Sequence, residues 1–251
     1  MPAEKKVKDV ETLQIAGRLI GLYPAAEKGA PLVLLCGGGE ERGPSLAGAG
    51  FSLAAVEELD WNRDLSPWPA PALRRGDEAF SGGADAFLEI LAGKALPAVR
   101  EALGAAPAGA YLAGYSLAGL FALYALYRTD AFDGAVSASG SLWYPGFSEF
   151  AVRHAFVKKP RRVYLSLGDR EKRSAHPLLR RVEDETRRFE QLLREHGVET
   201  VLEMNAGGHF QDAGARLARG IRWIAARQER GGCARAGGGI QAEKTEICPQ
   251  I

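Results

Sequence analysis

The sequence predicts an α/β protein, a mostly parallel sheet with helices on both faces. Three observations carry that prediction. Short continuous apolar runs such as residues 31–36, PLVLLC, have the composition of strands buried on both sides. Between such runs lie longer stretches whose apolar side chains recur at helical spacing. The two kinds of segment alternate along the chain, and strands joined through helices close by right-handed crossovers into a parallel sheet.

Taken in order, residues 12–23 read as a strand, 31–36 as a second that ends in Gly37-Gly38-Gly39, and 51–56 as a third. Residues 61–71, WNRDLSPWPAP, hold three prolines and predict a long irregular loop, a length that is uncommon unless functional. Residues 84–103 carry Phe87, Leu88, Leu91, Leu96, Val99 and Leu103 on one helical face, with Pro97 marking a kink or break. A strand over 110–113, a helix over 116–127 and strands over 134–137 and 162–167 follow. Residues 178–196 form an amphipathic helix, with Leu179, Val182, Phe189, Leu192 and Leu193 inward. Arg180 with Asp184 and Glu190 with Arg194 lie four apart on its wet side. The last strand covers 198–204 and the last helix 216–227. Residues 1–227 are therefore expected to be one domain, and 228–251, glycine-rich and aperiodic, a disordered tail.

The chain has 251 residues, 46% of them apolar and 25% charged, which is ordinary for a globular protein. A net charge of +1 gives no reason to expect a nucleic-acid partner. No apolar run approaches the roughly 20 residues that cross a bilayer, and the opening MPAEKKVKDVETLQ lacks the apolar centre of a secretory signal. A cytoplasmic protein with no membrane partner is the expectation. Cys36, Cys233 and Cys248 make neither a metal-ligand spacing nor a disulfide set, and Cys36 reads as core. No metal and no cofactor are called for, and the oligomeric state is open.

In a parallel sheet of this kind, ligands bind beyond the carboxyl ends of the strands. The segment Gly114-Tyr115-Ser116-Leu117-Ala118 lies there and matches G-x-S-x-G with alanine in the last place, between a predicted strand and a predicted helix. A serine on so sharp a turn lifts its hydroxyl out of the sheet, and only small neighbours leave room for the backbone. Ser116 is thus a candidate nucleophile, although serine also caps helices well. The Leu117 amide, at the helix start, points toward an oxygen gaining negative charge.

A hydroxyl needs a base. His209, in the Asn205-Ala-Gly-Gly-His-Phe210 loop after the last strand, is the candidate among His154, His176, His196 and His209. His196 suits the end of a helix, His154 sits in a short basic segment, and His176 is a candidate substrate contact. The orienting acid belongs after the preceding strand, where Leu165–Glu171 offers Asp169 and Glu171. Glu171, three residues beyond Gly168, is the first choice, while Asp169 can shape the turn. A second oxyanion donor is expected from the glycine loop after residue 36, Gly38 before Gly37. That loop fits no phosphate-binding pattern, since Pro44-Ser45 stands where lysine and serine or threonine are required. Trp61, Arg63, Trp68 and Trp143 fall on loops at the same edge and could form an aromatic mouth with one cation, core packing or loop anchoring being equal alternatives for each tryptophan. The interval between residues 137 and 162 leaves room for only a short lid.

GYSLAGLFALYAL, the Ser139-Gly-Ser-Leu-Trp-Tyr144 loop, SLGDRE and GGHF together resemble the putative esterase family of the α/β-hydrolase fold. This group includes enterochelin- and salmochelin-type siderophore esterases and is related to S-formylglutathione hydrolases. The resemblance spans residues 12–227 and implies a serine hydrolase that cleaves small carboxylic esters, siderophore-type or other aryl and acyl esters, through an acyl-enzyme. By position it makes Ser116 the nucleophile, His209 the base and the 169–171 loop the source of the acid. It places Leu142, Trp143 and Tyr144 beside the serine as pocket wall, and Tyr115 joins the substrate-binding candidates. The same residues serve thioesterases and acyltransferases, and the same fold also carries non-enzymatic binding proteins.

Overall fold

A computed structural model describes residues 11–38, 46 and 50–226 of the chain. The expected tail from residue 228, with Cys233 and Cys248, lies outside the described residues, as do Gly39 and the rest of its loop through residue 45.

Eight strands form the main sheet: β1 (Glu11–Ile15), β2 (Arg18–Tyr23), β3 (Leu32–Cys36), β4 (Ser52–Val56), β7 (Ala110–Tyr115), β8 (Gly134–Ala138), β9 (Arg162–Gly168) and β10 (Glu199–Asn205). Their order is β1-β2-β4-β3-β7-β8-β9-β10. The pairs β1/β2 and β2/β4 are antiparallel and all others in this sheet are parallel. The stretch expected as one strand over 12–23 is a hairpin, because Ala16 and Gly17 both take positive φ and turn the chain back. Two-residue strands β5 (Pro69–Ala70) and β6 (Phe80–Ser81) pair with each other in the proline-rich region.

Alternation along the strands sorts their side chains between two cores. Leu32, Leu34 and Cys36 of β3 and Ala110 and Leu112 of β7 face one layer. Val33, Leu35, Tyr111 and Ala113 face the other. The first layer holds α2 (Ala84–Ile90), α3 (Leu96–Leu103), α4 (Leu117–Ala125), α5 (Phe147–Arg153) and α6 (Val182–Glu195). The second is covered by α7 (Ala213–Ala225) through Leu217, Ile221 and Ile224. Gly220 lets α7 close on the sheet, since a Cβ there would meet Val136 at 2.5 Å and Tyr164 at 2.6 Å.

Pro97 does not break the chain. Between α2 and α3 the helix widens into a π turn, Leu91–Ala95, in which the Leu96 amide reaches the Leu91 carbonyl. This puts Pro97 in the first turn of α3, where a missing N–H costs nothing. The 61–71 loop contains a short helix, α1 (Trp61–Asp64), capped by Asp60. The segment expected to hold a short lid contains α5. The amphipathic helix begins at Val182 after a 3-10 turn, Leu179–Arg181, and pairs Arg181 with Glu185, Glu183 with Arg187 and Glu190 with Arg194.

Candidate active site

Three strands that end at the same edge of the sheet deliver the site. Ser116 follows β7, the 169–171 loop follows β9, and the 206–212 loop follows β10. Ser116 has φ 56° and ψ −120°, a backbone conformation that non-glycine residues adopt only when their surroundings impose it. Here they do. The Ser116 amide donates to Ala138, and its carbonyl accepts from Leu120 and Ser141. Gly114 has no room for a side chain, because a Cβ would sit 2.3 Å from the Ala118 carbonyl carbon.

The Ser116 hydroxyl lies 3.1 Å from His209 Nε2, and His209 Nδ1 lies 2.8 Å from Glu171 Oε2. The side chains lie in a graded environment, with the imidazole 28% exposed and the carboxylate 4%. Glu171 Oε1 accepts from the Gly168 amide at 2.7 Å, Ser139 Oγ at 2.9 Å and Arg216 Nη1 at 3.2 Å. Burial alone would raise the Glu171 pKa. The hydrogen bonds from His209, Gly168 and Ser139 outweigh it and hold the carboxyl below its ordinary value, so it is ionised at neutral pH. Ionised and fixed, it can accept a hydrogen bond from Nδ1–H, the tautomer that leaves Nε2 as an acceptor facing the serine hydroxyl.

Asp169, the alternative acid, is placed differently. Its Oδ1 accepts from the Gly207 amide at 2.8 Å, and its own amide bonds the Asn205 carbonyl, so it ties the two loops together. Arg216, which the sequence reading did not single out, is fully buried on α7. Besides Glu171 it reaches Ser139 Oγ and the carbonyls of Ala206 and Gly208, all at 3.1 Å. One guanidinium thereby holds both the carboxylate and the histidine loop. Its signal in the sequence was a cation on the apolar face of the last helix, beside Leu217 and Gly220. Ser141, also not singled out, places its hydroxyl 3.3 Å from that of Ser116.

Of the two glycines considered as oxyanion donors, Gly37 gives its amide to Val56 at 2.9 Å and is committed to the sheet. Gly38, with φ 73°, comes next in the chain. Leu117 is the first residue of α4. Cys36 is buried, and that burial with the nearby Glu57 and Asp64 pushes its thiol pKa up, which keeps it protonated and unreactive.

A cleft of about 1000 Å³ opens over Ser116 and His209, with Trp143 and Phe210 among its aromatic walls. The rest of the expected aromatic mouth lies outside its lining. Trp68 donates from its indole to the Pro145 carbonyl and packs on Tyr124, Tyr144 and Phe150. Tyr144 is buried and donates to the Trp68 carbonyl. Together they anchor two loops. Trp61 lies against Gly37, and Arg63 is engaged by Asp60 and Asp64. Tyr115 stands behind the histidine, with its ring against the imidazole and its hydroxyl on the His209 carbonyl. Burial raises its pKa, which keeps that hydroxyl a donor. His176 lines the cleft and bonds the Leu73 carbonyl through Nε2 at 2.9 Å. His154 and His196 bond carbonyls of their own helices.

Known proteins share both sequence and shape with this chain. Residues 55–220 match the Esterase family, described as Putative esterase. The uncharacterized protein YbbA of Bacillus subtilis (strain 168) is 27% identical over 148 residues, which span 58% of this chain and 59% of YbbA. The alignment thus takes in under two thirds of that relative. Among solved structures, siderophore hydrolase EstA from Aspergillus nidulans superposes with a TM-score of 0.66 at 20% identity, over 88% of this chain and 96% of its own. Enterochelin esterase from Shigella flexneri does so with 0.67 at 17%, over 88% and 59%. These likenesses establish the fold as that of the α/β-hydrolases, and the sequence match covers well over half of the residues. The chain therefore belongs to the Putative esterase family.

Proposed function

We propose that the protein is a serine hydrolase of carboxylic esters, with Ser116 as nucleophile, His209 as general base and Glu171 as the orienting acid. The observation that carries the proposal is the relay from Ser116 Oγ to His209 Nε2 at 3.1 Å and from His209 Nδ1 to Glu171 at 2.8 Å, at the floor of an open cleft.

In this reading Ser116 attacks the ester carbonyl as His209 takes its proton. The amides of Leu117 and Gly38 receive the developing oxyanion, and the α4 N-terminus adds its partial positive charge. The imidazolium, stabilised by Glu171, protonates the departing alcohol. Water, deprotonated by the same histidine, then attacks the acyl-enzyme and releases the acid. Siderophore-type and other aryl esters are the first substrates to try, since the solved relatives carry siderophore hydrolase and enterochelin esterase as their names.

The test is direct. A fluorophosphonate probe should label Ser116, and Ser116→Ala should abolish labelling and lower turnover of a short-chain aryl ester on the order of 10⁶-fold. Undiminished hydrolysis by the purified variant ends the proposal.

A further inference from the structure

The wall of the cleft over Ser116 carries three arginines, and the proposed mechanism makes no use of their charge. Arg74, Arg170 and Arg173 all line it. They come from two distant segments of the chain, which meet where His176 bonds the Leu73 carbonyl. The second nitrogen of that histidine accepts from the Leu178 amide at 3.3 Å, so both ring nitrogens are occupied and His176 serves as a strut.

Some surface cations elsewhere in this protein are paired, while others, such as Arg100 and Arg222, meet no acid among the described residues. Arg128 meets Asp85, Arg187 meets Glu183 and Arg219 meets Glu203. Arg170 has a weak bond to Gln211 at 3.3 Å and a distant contact with Asp169 at 3.9 Å. The guanidinium groups of Arg74 and Arg173 meet no acceptor among the described residues. The acids on the lining are Asp77 and Glu171, and Glu171 is neutralised by Arg216 behind it. The wall therefore carries excess positive charge although the whole chain is near neutrality, at +1.

We propose that this wall is a binding site for a carboxylate carried by the ester substrate. The inference rests on the esterase reading and narrows it to anionic esters. Guanidinium groups without partners, in a cleft whose walls exclude part of the solvent, suit a planar carboxylate through paired N–H donors. Trp143 and Phe210 in the same cleft suit an aromatic ring between the carboxylate and the scissile bond. Arg63, the cation expected from the sequence, is unsuited to the task because Asp60 and Asp64 already occupy it.

The experiment compares 4-acetoxybenzoate with its methyl ester. Water cleaves the acetyl ester of each, giving acetate and a phenol that bears either a free carboxylate or a methyl carboxylate. The readout is the ratio of kcat/KM for the anionic to the neutral substrate, in wild type and in the Arg74→Gln/Arg173→Gln double variant. Each exposed ion pair is worth a few-fold, so the ratio should fall about tenfold in the double variant. It should also fall in wild type at about 0.5 M NaCl, where charges are screened within a few ångströms. A ratio that neither the variant nor salt changes overturns the proposal. Benzoate binding to Ser116→Ala, followed by calorimetry, separates this inference from the esterase reading. Failure of both esters to turn over would defeat the esterase reading, while benzoate binding that weakens in the arginine variant would still support the anion site. Benzoate binding that is absent, or identical with and without the arginines, would defeat the site even if both esters were cleaved.

Discussion

Glu171 is a buried carboxylate with four donors aimed at its two oxygens, and much of the chemistry proposed here depends on that arrangement. Glu171→Gln should lower kcat for an aryl ester by roughly 10³–10⁴-fold, because the amide can no longer stabilise the imidazolium. Asp169→Asn keeps an oxygen for the Gly207 amide and should stay within about tenfold of wild type; steady-state kinetics of the two variants decide between the acids. Arg216→Met strands the buried carboxylate and should cost about 3–5 kcal/mol in urea unfolding, and a loss below about 1 kcal/mol would contradict the structure. The depressed pKa of Glu171 also gives an acid limb to stability. A carboxyl held low adds stability that is complete above its unfolded value, about 4.3, and is lost as pH falls through the folded value. Thermal melts between pH 6 and 3 should therefore show a decline that is shallower in Glu171→Gln. That Ser116, His209 and Glu171 come together was legible because each sits in a local pattern: a glycine-flanked turn, a glycine-rich loop, a carboxylate just past a strand. For Trp68 the sequence left mouth and loop anchor equally open, and Tyr144 was expected beside the serine, because the bonds that hold both join residues more than seventy positions apart, beyond the reach of any local pattern.

The elements with a strong apolar signature were legible in kind and nearly so in extent, because β3, β4, β7, β8 and β9 are buried on both faces and need continuous apolar sequence. The hairpin at residues 11–23 was read as one strand since its turn is signalled only by Ala16-Gly17, and α5 has too few residues to establish a period. At Pro97 the local rule for a break was overridden by the π turn, which packs Leu91 and Leu96 into the same core. The close approach of α7 gives a prediction at this scale. Gly220→Ala, with its methyl group forced against Val136 and Tyr164, should cost about 1–3 kcal/mol in urea unfolding, and Gly220→Ser should be no better. An unchanged midpoint in both would mean that the helix stands farther from the sheet than described.

At the level of the whole molecule, the candidate site joins regions of unequal security. Ser116 follows β7, which is buried along nearly its whole length, whereas His209 follows β10, the outermost parallel strand of the described sheet and only half-buried. Amide hydrogen exchange should therefore be slower in β7 than in β10, and ester hydrolysis should fail at lower urea than the global fluorescence transition; coincident transitions would show the sheet opening as one unit. The surroundings of the cleft differ in the same way. Behind the histidine, a sequestered cation, paired loops and a phenol lock every part to its neighbour. Elsewhere around the cleft, the segments bearing Arg74 and Arg173 are joined through the His176 strut, and Arg173 shares its 3-10 turn with Glu171. Arg74, on a segment apart from those of Ser116, His209 and Glu171, can change without touching the proposed relay. Descendants of this scaffold would then diverge in what they accept long before they diverge in how they react.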